Sequence, residues 1–258
     1  MQALKLPARR GWHWLGEGFA IFRKNPSMLT MLVVSYWMLV ALMNLIPVIG
    51  AIAATLCIPP FSVSLMNACR EVDQGRALGP RMLFSGFREN LRALLILGGL
   101  YLGATITILG LSAAADDGVL MQMMLAGTPP SEESLNNGQF LAATQLALLL
   151  LAPLMMAYWY APVLAAWHGF PASKALFFSF IASLRNWRAF LGYSAAMIVF
   201  GAILPGVVLG LLASLMPDGS NFFAALFSIP LLLILAPTLF ASFYVSYRDV
   251  FVAIDEDV

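Results

Sequence analysis

The sequence predicts an all-α, polytopic membrane protein. It reads as six transmembrane helices arranged as three parallel hairpin repeats, each preceded by a cytoplasmic amphipathic interfacial helix. The first observation behind this is composition. Of 258 residues, 61% are hydrophobic and 10% charged, where an ordinary soluble domain carries about 25% charged residues. The second is banding. No Asp, Glu, Lys or Arg occurs at 25–69, 93–115, 134–173, 189–217 or 219–247. A charge at the centre of a spanning helix costs about 2.5–3.5 kcal/mol on insertion scales, so the charge-free bands are spans and the charged bands are loops. The third is recurrence. Phe19-Ala-Ile-Phe22-Arg23-Lys24-Asn25-Pro26 returns as Phe84-Ser-Gly-Phe87-Arg88-Glu89-Asn90, and more loosely as Ile181-Ala-Ser-Leu184-Arg185-Asn186-Trp187. Each time a membrane-length apolar run follows.

In chain order, residues 11–25 form an interfacial helix with Trp12, Leu15, Phe19 and Phe22 on one face and His13, Glu17 and Lys24 largely elsewhere. Such a helix rests its apolar face at the headgroup boundary. Asn25 caps the first span, and Pro26 takes its first turn, where a missing N–H does no harm. Spans follow at about 27–46 and 49–69, separated by a turn containing Pro47 and Gly50. The second segment, 77–90, places Leu78, Met82, Leu83 and Phe87 beside Arg81 and Arg88, ahead of spans at about 92–113 and 139–167. Between those spans lies a long outer loop in which the apolar stretch 119–125 makes a short helix. The third segment, 172–186, is the most apolar and leads to spans at about 189–215 and 222–247. All of this is one integral domain, 1–258, with repeat units at about 11–70, 76–167 and 170–250. Each segment is readable as packed on the bundle or as resting in lipid, and the two are compatible.

The second span of every hairpin carries interior proline: Pro59 and Pro60, then Pro153 and Pro162, then Pro230 and Pro237. Proline frees a carbonyl and kinks a helix, which a membrane tolerates where neighbours or a cavity satisfy the backbone. The kinks therefore mark bent packing or the lining of a cavity.

Charge sets orientation. All 14 Lys and Arg fall in the N-terminal segment, the second-to-third and fourth-to-fifth connections, and the C-terminal segment. Positive residues stay cytoplasmic, so both termini are expected inside. That face carries fourteen cations against eight carboxylates, while the outer loops hold only Asp116, Asp117, Glu132, Glu133 and Asp218. The first apolar run is long enough to span, so no cleavable signal peptide is expected. Cys57 and Cys69 lie within or at the inner end of a span, so no disulfide is expected. Each unit crosses twice and enters in the same direction, which makes the repeats parallel and the inverted-repeat transporter scheme unavailable.

The chemistry expected is sparse. Metalloprotease, hydrolase, P-loop, dinucleotide and CxxC motifs are absent. His13 and His168 are the only histidines, so no metal, cofactor or nucleic-acid partner is expected. The spans hold only neutral polar groups such as Ser62, Asn67, Tyr158 and Ser242, which disfavours an ion-coupled pump. The candidate site is instead a set of cations where interfacial segments turn into spans: Arg23, Lys24 and Asn25; Arg88, Asn90 and Arg92; Arg185, Asn186 and Arg188. Basic residues there are attracted to anionic lipid by about 1 kcal/mol each, and Arg can hold a phosphate through two parallel N–H bonds. The alternative is that these Arg only enforce orientation.

The approach Gly18-Phe19-x-x-Phe22-Arg23-x-Asn25-Pro26, the proline-bearing second spans and six uncharged helices resemble uncharacterised bacterial inner-membrane proteins of six-helix type. They are similar in style to the membrane domain attached to some glycerophosphodiester phosphodiesterases. The resemblance implies a bacterial inner-membrane location. These 258 residues contain no soluble phosphodiesterase domain, so that activity is not expected. The reading is a non-enzymatic protein that binds or handles lipid or another amphiphile, or serves a larger envelope system; the alternative is a permease for a small uncharged or hydrophobic solute. Membrane lipids are the expected partners, with a homo-oligomer or larger membrane complex left open.

Overall fold

Among the described residues the charge-free bands are mostly helix. The structure, a computed structural model, describes residues 3–136, 138–215 and 220–251, and every regular element among them is helical. Six stretches are long and apolar enough to cross a membrane: Pro26–Asn44, Ile49–Asp73, Leu91–Asp116, Gln139–Trp167, Trp187–Leu215 and Leu226–Phe251. We label the helices α1 (Ala8–Lys24), α2 (Pro26–Asn44), α3 (Ile49–Asp73), α4 (Leu91–Asp116), α5 (Val119–Ala126), α6 (Glu132–Asn136), α7 (Gln139–Tyr158), α8 (Ala161–Trp167), α9 (Ala172–Arg185), α10 (Trp187–Ile198), α11 (Leu204–Leu215) and α12 (Ser220–Phe251). Helices α7 and α8 share the fourth span. Helices α10 and α11 share the fifth, joined by a π turn at Val199–Ile203.

Three of the proline kinks meet their neighbours in different ways. Pro237 cannot donate to the Leu233 carbonyl, and Thr30 Oγ1 of α2 donates to that oxygen instead at 3.1 Å. Pro60 frees the Leu56 carbonyl, and α4 lies against it because Gly98 has no side chain; a Cβ there would sit 2.7 Å from that oxygen. The fourth span breaks at Trp159–Tyr160, just before Pro162. There the Tyr160 N–H donates to Ser179 Oγ, while the Ser179 and Ser183 hydroxyls donate to the Met156 carbonyl. Two serines of α9 thus replace one rung of the helix ladder, as a dry environment requires.

The three segments ahead of the spans differ. The first, α1, lies across α10 and α12. Trp14, Leu15, Ile21 and Phe22 are buried, while Trp12 and Phe19 are 42% and 41% exposed. The face expected from spacing is therefore split: Leu15 and Phe22 turn into the bundle, Phe19 turns away from it, and Trp12 sits at its edge against Phe200. The cause is Gly11 and Gly18, seven residues apart on one face. A Cβ on Gly11 would collide with the Ala189 carbonyl, and one on Gly18 would lie 2.6 Å from Ser242 N. The second segment is a 3-10 helix, Pro80–Arg88, rather than an α-helix. Ser64 Oγ accepts from Gly86 N at 2.9 Å and donates to the Pro60 carbonyl, and Phe84 and Phe87 pack on Phe61. The third segment is α9, an ordinary α-helix.

Burial is uneven along the membrane axis. The largest fully buried side chains, including Trp14, Leu32, Leu65, Leu94, Leu164 and Val250, lie in the half that carries the cations. Toward the other end the helices separate, and Leu45, Ile49, Leu149 and Leu215 are at least 70% exposed. Lipid tails are as apolar as Leu, so such surface needs no protein cover in a bilayer.

Candidate functional site

A cavity of about 610 Å³ lies between the spans, and all three hairpins line it. Its wall is aromatic: Trp37 of α2, Tyr101 of α4, Tyr158 of α7, Trp159, Tyr193 of α10 and Phe243 of α12. No charged residue lines it. Most of its polar groups are turned to protein partners: Tyr158 OH donates to the Leu97 carbonyl, Tyr193 OH pairs with Ser242 Oγ at 2.7 Å, and Thr55 Oγ1 donates to the Ala51 carbonyl. What faces the cavity is therefore ring and methyl surface. At 1.5 Å per residue, Trp37 stands about 16 Å along α2 from its charged end, close to the middle of a hydrocarbon core about 30 Å thick.

Of the six kink prolines, Pro59 and Pro162 line this cavity directly. Pro60 and Pro237 are buried beside it in sequence, next to the lining residues Pro59 and Ala236, while Pro153 and Pro230 are exposed.

The cations at the segment ends sort into two groups. Lys24 is committed to protein, with Nζ 3.0 Å from Asp73 Oδ1. Arg23, Arg88, Arg92, Arg185 and Arg188 are exposed and make no ion pair among the described residues. Arg23 lies over the Phe19 ring and Arg188 over the Trp187 ring, 5.5 and 5.4 Å from the centroids. The asparagines are structural ties. Asn25 accepts from Met28 N as the cap of α2. Asn90 Nδ2 donates to the carbonyls of Ala165 and Phe170. Asn186, fully buried, donates to the Leu4 and Ala182 carbonyls and accepts from Leu6 N. Arg92 and Asn90 share a small cleft with Gly169 and Pro171 at the start of α9. His13 and His168 have separate partners, the Arg9 carbonyl and Tyr247 OH, and no metal-holding cluster occurs among the described residues.

Sequence reasoning missed a charge network at this end. It runs Lys24–Asp73–Arg248–Glu17–Arg10–Asp249 and joins α1, α3 and α12. Arg10 meets Asp249 through Nε at 2.5 Å and Nη2 at 3.0 Å, and Trp14 Nε1 donates to the same carboxylate at 2.8 Å. The bond to Asp249, and then Glu17, holds the Arg10 pKa above its ordinary value. With three cations and three carboxylates the network is neutral, so it leaves the positive character of this face to the unpaired arginines.

The chain is 35% identical over 257 residues to a probable inner membrane protein of Burkholderia thailandensis, an alignment covering 97% of this chain and 94% of the relative. No family model matches the chain, and no solved structure matches it. The phosphodiesterase likeness has no counterpart in these comparisons. Similarity of this extent along almost the whole of both chains, together with six membrane-length helices, places the protein in one family with that relative, a family of multi-pass inner membrane proteins.

Proposed function

We propose that this protein holds a membrane lipid or a similar amphiphile, with apolar chain in the central cavity and anionic headgroup at the unpaired arginines, and that it performs no chemistry on it. The carrying observation is the cavity. It is large, aromatic, uncharged and at mid-membrane depth, and ligand cavities of about 300–1,000 Å³ with mostly apolar linings suit molecules of this size. In this reading the cation-bearing end faces the cytoplasm, as the loop asymmetry requires. The three hairpins act as parallel repeats, with Arg23, Arg88 and Arg185 equivalent in place. The segments ahead of the spans hold the cytoplasmic leaflet against the bundle, Trp12 and Phe19 supplying apolar contact.

The direct test replaces Arg23, Arg88 and Arg185 by Lys. Charge and topology are kept, but the two-pronged contact to phosphate is lost. Native mass spectrometry of the purified proteins should show anionic phospholipid retained by the wild type and reduced in the triple variant. Equal retention would leave these arginines only a topological role. A wild type free of lipid that lets an uncharged solute cross proteoliposomes would make the protein a permease.

Orientation has its own measurement. In a background lacking Cys57 and Cys69, a cysteine at Ser131 or Ser220 should react with an impermeant thiol reagent in intact cells. A cysteine at Ser85 should stay unlabelled until the membrane is opened. Labelling of position 85 from outside would invert the orientation.

A further inference from the structure

The walls of the cavity are not equally closed. Around the ring, α2 packs on α3, α3 on α4, α4 on α7, and α12 on α2, α3 and α11. The fifth span is held differently. Helix α10 packs on α1, α11 packs on α12, and neither packs extensively on α7. Between α10 and α12 the space is taken by α1, whose Trp12 reaches Phe200 at 5.6 Å between ring centroids. Between the fourth span and α10, the ring contacts among the described residues are those of Trp159 with Phe190 and Tyr193 and of Tyr160 with Phe190, at 5.3, 6.0 and 6.2 Å, close to the charged end. Farther along the axis Met155 of α7 lines the cavity and is nevertheless 37% exposed, and Met197 of α10, half-buried, lines the same cavity. Trp37 and Ile58 of the first hairpin also line the cavity and are 37% and 40% exposed, but there the flanking helices pack on their neighbours, so the sideways opening toward lipid falls between the fourth and fifth spans, where they do not.

We propose that this gap is a lateral portal, and that an acyl chain of a lipid in the leaflet on the charged side enters the cavity through it. The proposal rests on the lipid-holding reading and specifies its route. Three features select the occupant. Beyond Arg188 at the foot of α10 both flanking spans are free of charge, so an ionic group gains nothing by passing between them. The rim is methionine, a flexible side chain that adapts to irregular apolar shapes. Arg185 and Arg188, unpaired beside the exposed Trp187, stand at the foot of α10 on the portal's edge. From Arg188 to Met197 is about 14 Å along a helix, close to half of a hydrocarbon core about 30 Å thick. A lipid whose phosphate sits at those arginines brings the end of its chain to the opening. The π turn Val199–Ile203 follows Met197 directly. Such turns interrupt the regular ladder and recur at functional positions in helices, and this one lies directly beside the opening.

The experiment uses the intact protein in bilayers doped with an anionic phospholipid that carries a photoreactive diazirine midway along one chain. After illumination, adducts are mapped by peptide mass spectrometry. We expect adducts on Met155, Tyr158 and Met197, and within the cavity on Trp37 or Phe240. The Met155→Trp, Met197→Trp double variant should lower the cavity adducts about tenfold, equivalent to about 1.4 kcal/mol. Leu149→Trp, on the lipid-facing side of α7, should leave them unchanged. Cavity adducts that persist in the double variant, or that occur in the wild type without any at Met155 or Met197, would overturn the portal and leave the lipid-holding reading standing. Adducts confined to outward residues such as Leu149 and Leu191 would overturn both. Mapping on the unaltered protein decides the matter even if the double variant fails to fold.

Discussion

Replacing Gly11 by Leu should detach the first half of α1 from α10 and lower the apparent Tm in detergent more than any other single change considered. The reason is the nature of the obstacle. Gly11 is buried where a Cβ would overlap the Ala189 carbonyl and crowd the Tyr193 N–H, both main-chain groups of a helix. A flexible side chain could turn aside, but a helix backbone cannot, so the crossing must open. Overpacking of this sort costs about 1–3 kcal/mol, occasionally more. Here it also draws Trp14 away from Phe190 and Tyr193, against which it packs at 5.6 and 5.9 Å. Trypsin should then cut at Arg9 and Arg10 under conditions that spare the wild type. Gly16 is the matched control. Nothing lies within 4 Å of a Cβ there and the residue is exposed, so Gly16→Ala should be neutral or stabilise by about 0.4–1 kcal/mol through the unfolded chain. Equal melting and equal proteolysis of Gly11→Leu and wild type would mean that α1 is not seated on α10.

Asp249→Ala should follow closely. The Asp249 carboxylate, with its side chain only 10% exposed, receives two bonds from Arg10 and one from Trp14. Its removal leaves the fully buried Trp14 N–H without a partner and Arg10 with Glu17 alone. A buried donor stripped of its partner costs about 1–3 kcal/mol, and for a domain of this size each kcal/mol lowers Tm by about 2–4 °C. The comparison is Glu71→Ala. Its partner Arg76 is 59% exposed, and surface pairs are worth about 0–1 kcal/mol, so that variant should melt with the wild type. Heating followed by size-exclusion chromatography distinguishes them. If Asp249→Ala and Glu71→Ala were equally harmless, the network at this end would be surface decoration and not a tie between α1 and α12.

The spans were legible because a hydrocarbon core imposes a local rule. About twenty apolar residues must run together without charge, and bands such as 93–115 and 219–247 satisfy that rule without reference to the rest of the chain. The cap at Asn25 with Pro26 behind it was legible for the same reason, since the atoms involved lie within three residues. The prolines announced kinks. They did not announce that Thr30 would meet the carbonyl freed by Pro237, or that Pro59 and Pro162 would line the cavity while Pro153 and Pro230 would face outward. A signal for the seating of α1 was present in Gly11 and Gly18, seven apart on one face, but the large residues Trp12 and Phe19 suggested the opposite side. Arg10 was counted as a topological cation. Its partner Asp249 lies 239 residues away, and no periodicity in either segment connects the two. By itself, then, the sequence determined which stretches cross the membrane and on which side the charge collects, because both follow from transferring short segments between water and lipid. Only the tertiary structure decided which face of α1 is buried, which arginines remain unpaired, and where the ring of helices stays open. Those depend on which surfaces meet when distant segments pack, and a helix carries the same local pattern whichever neighbour it finds.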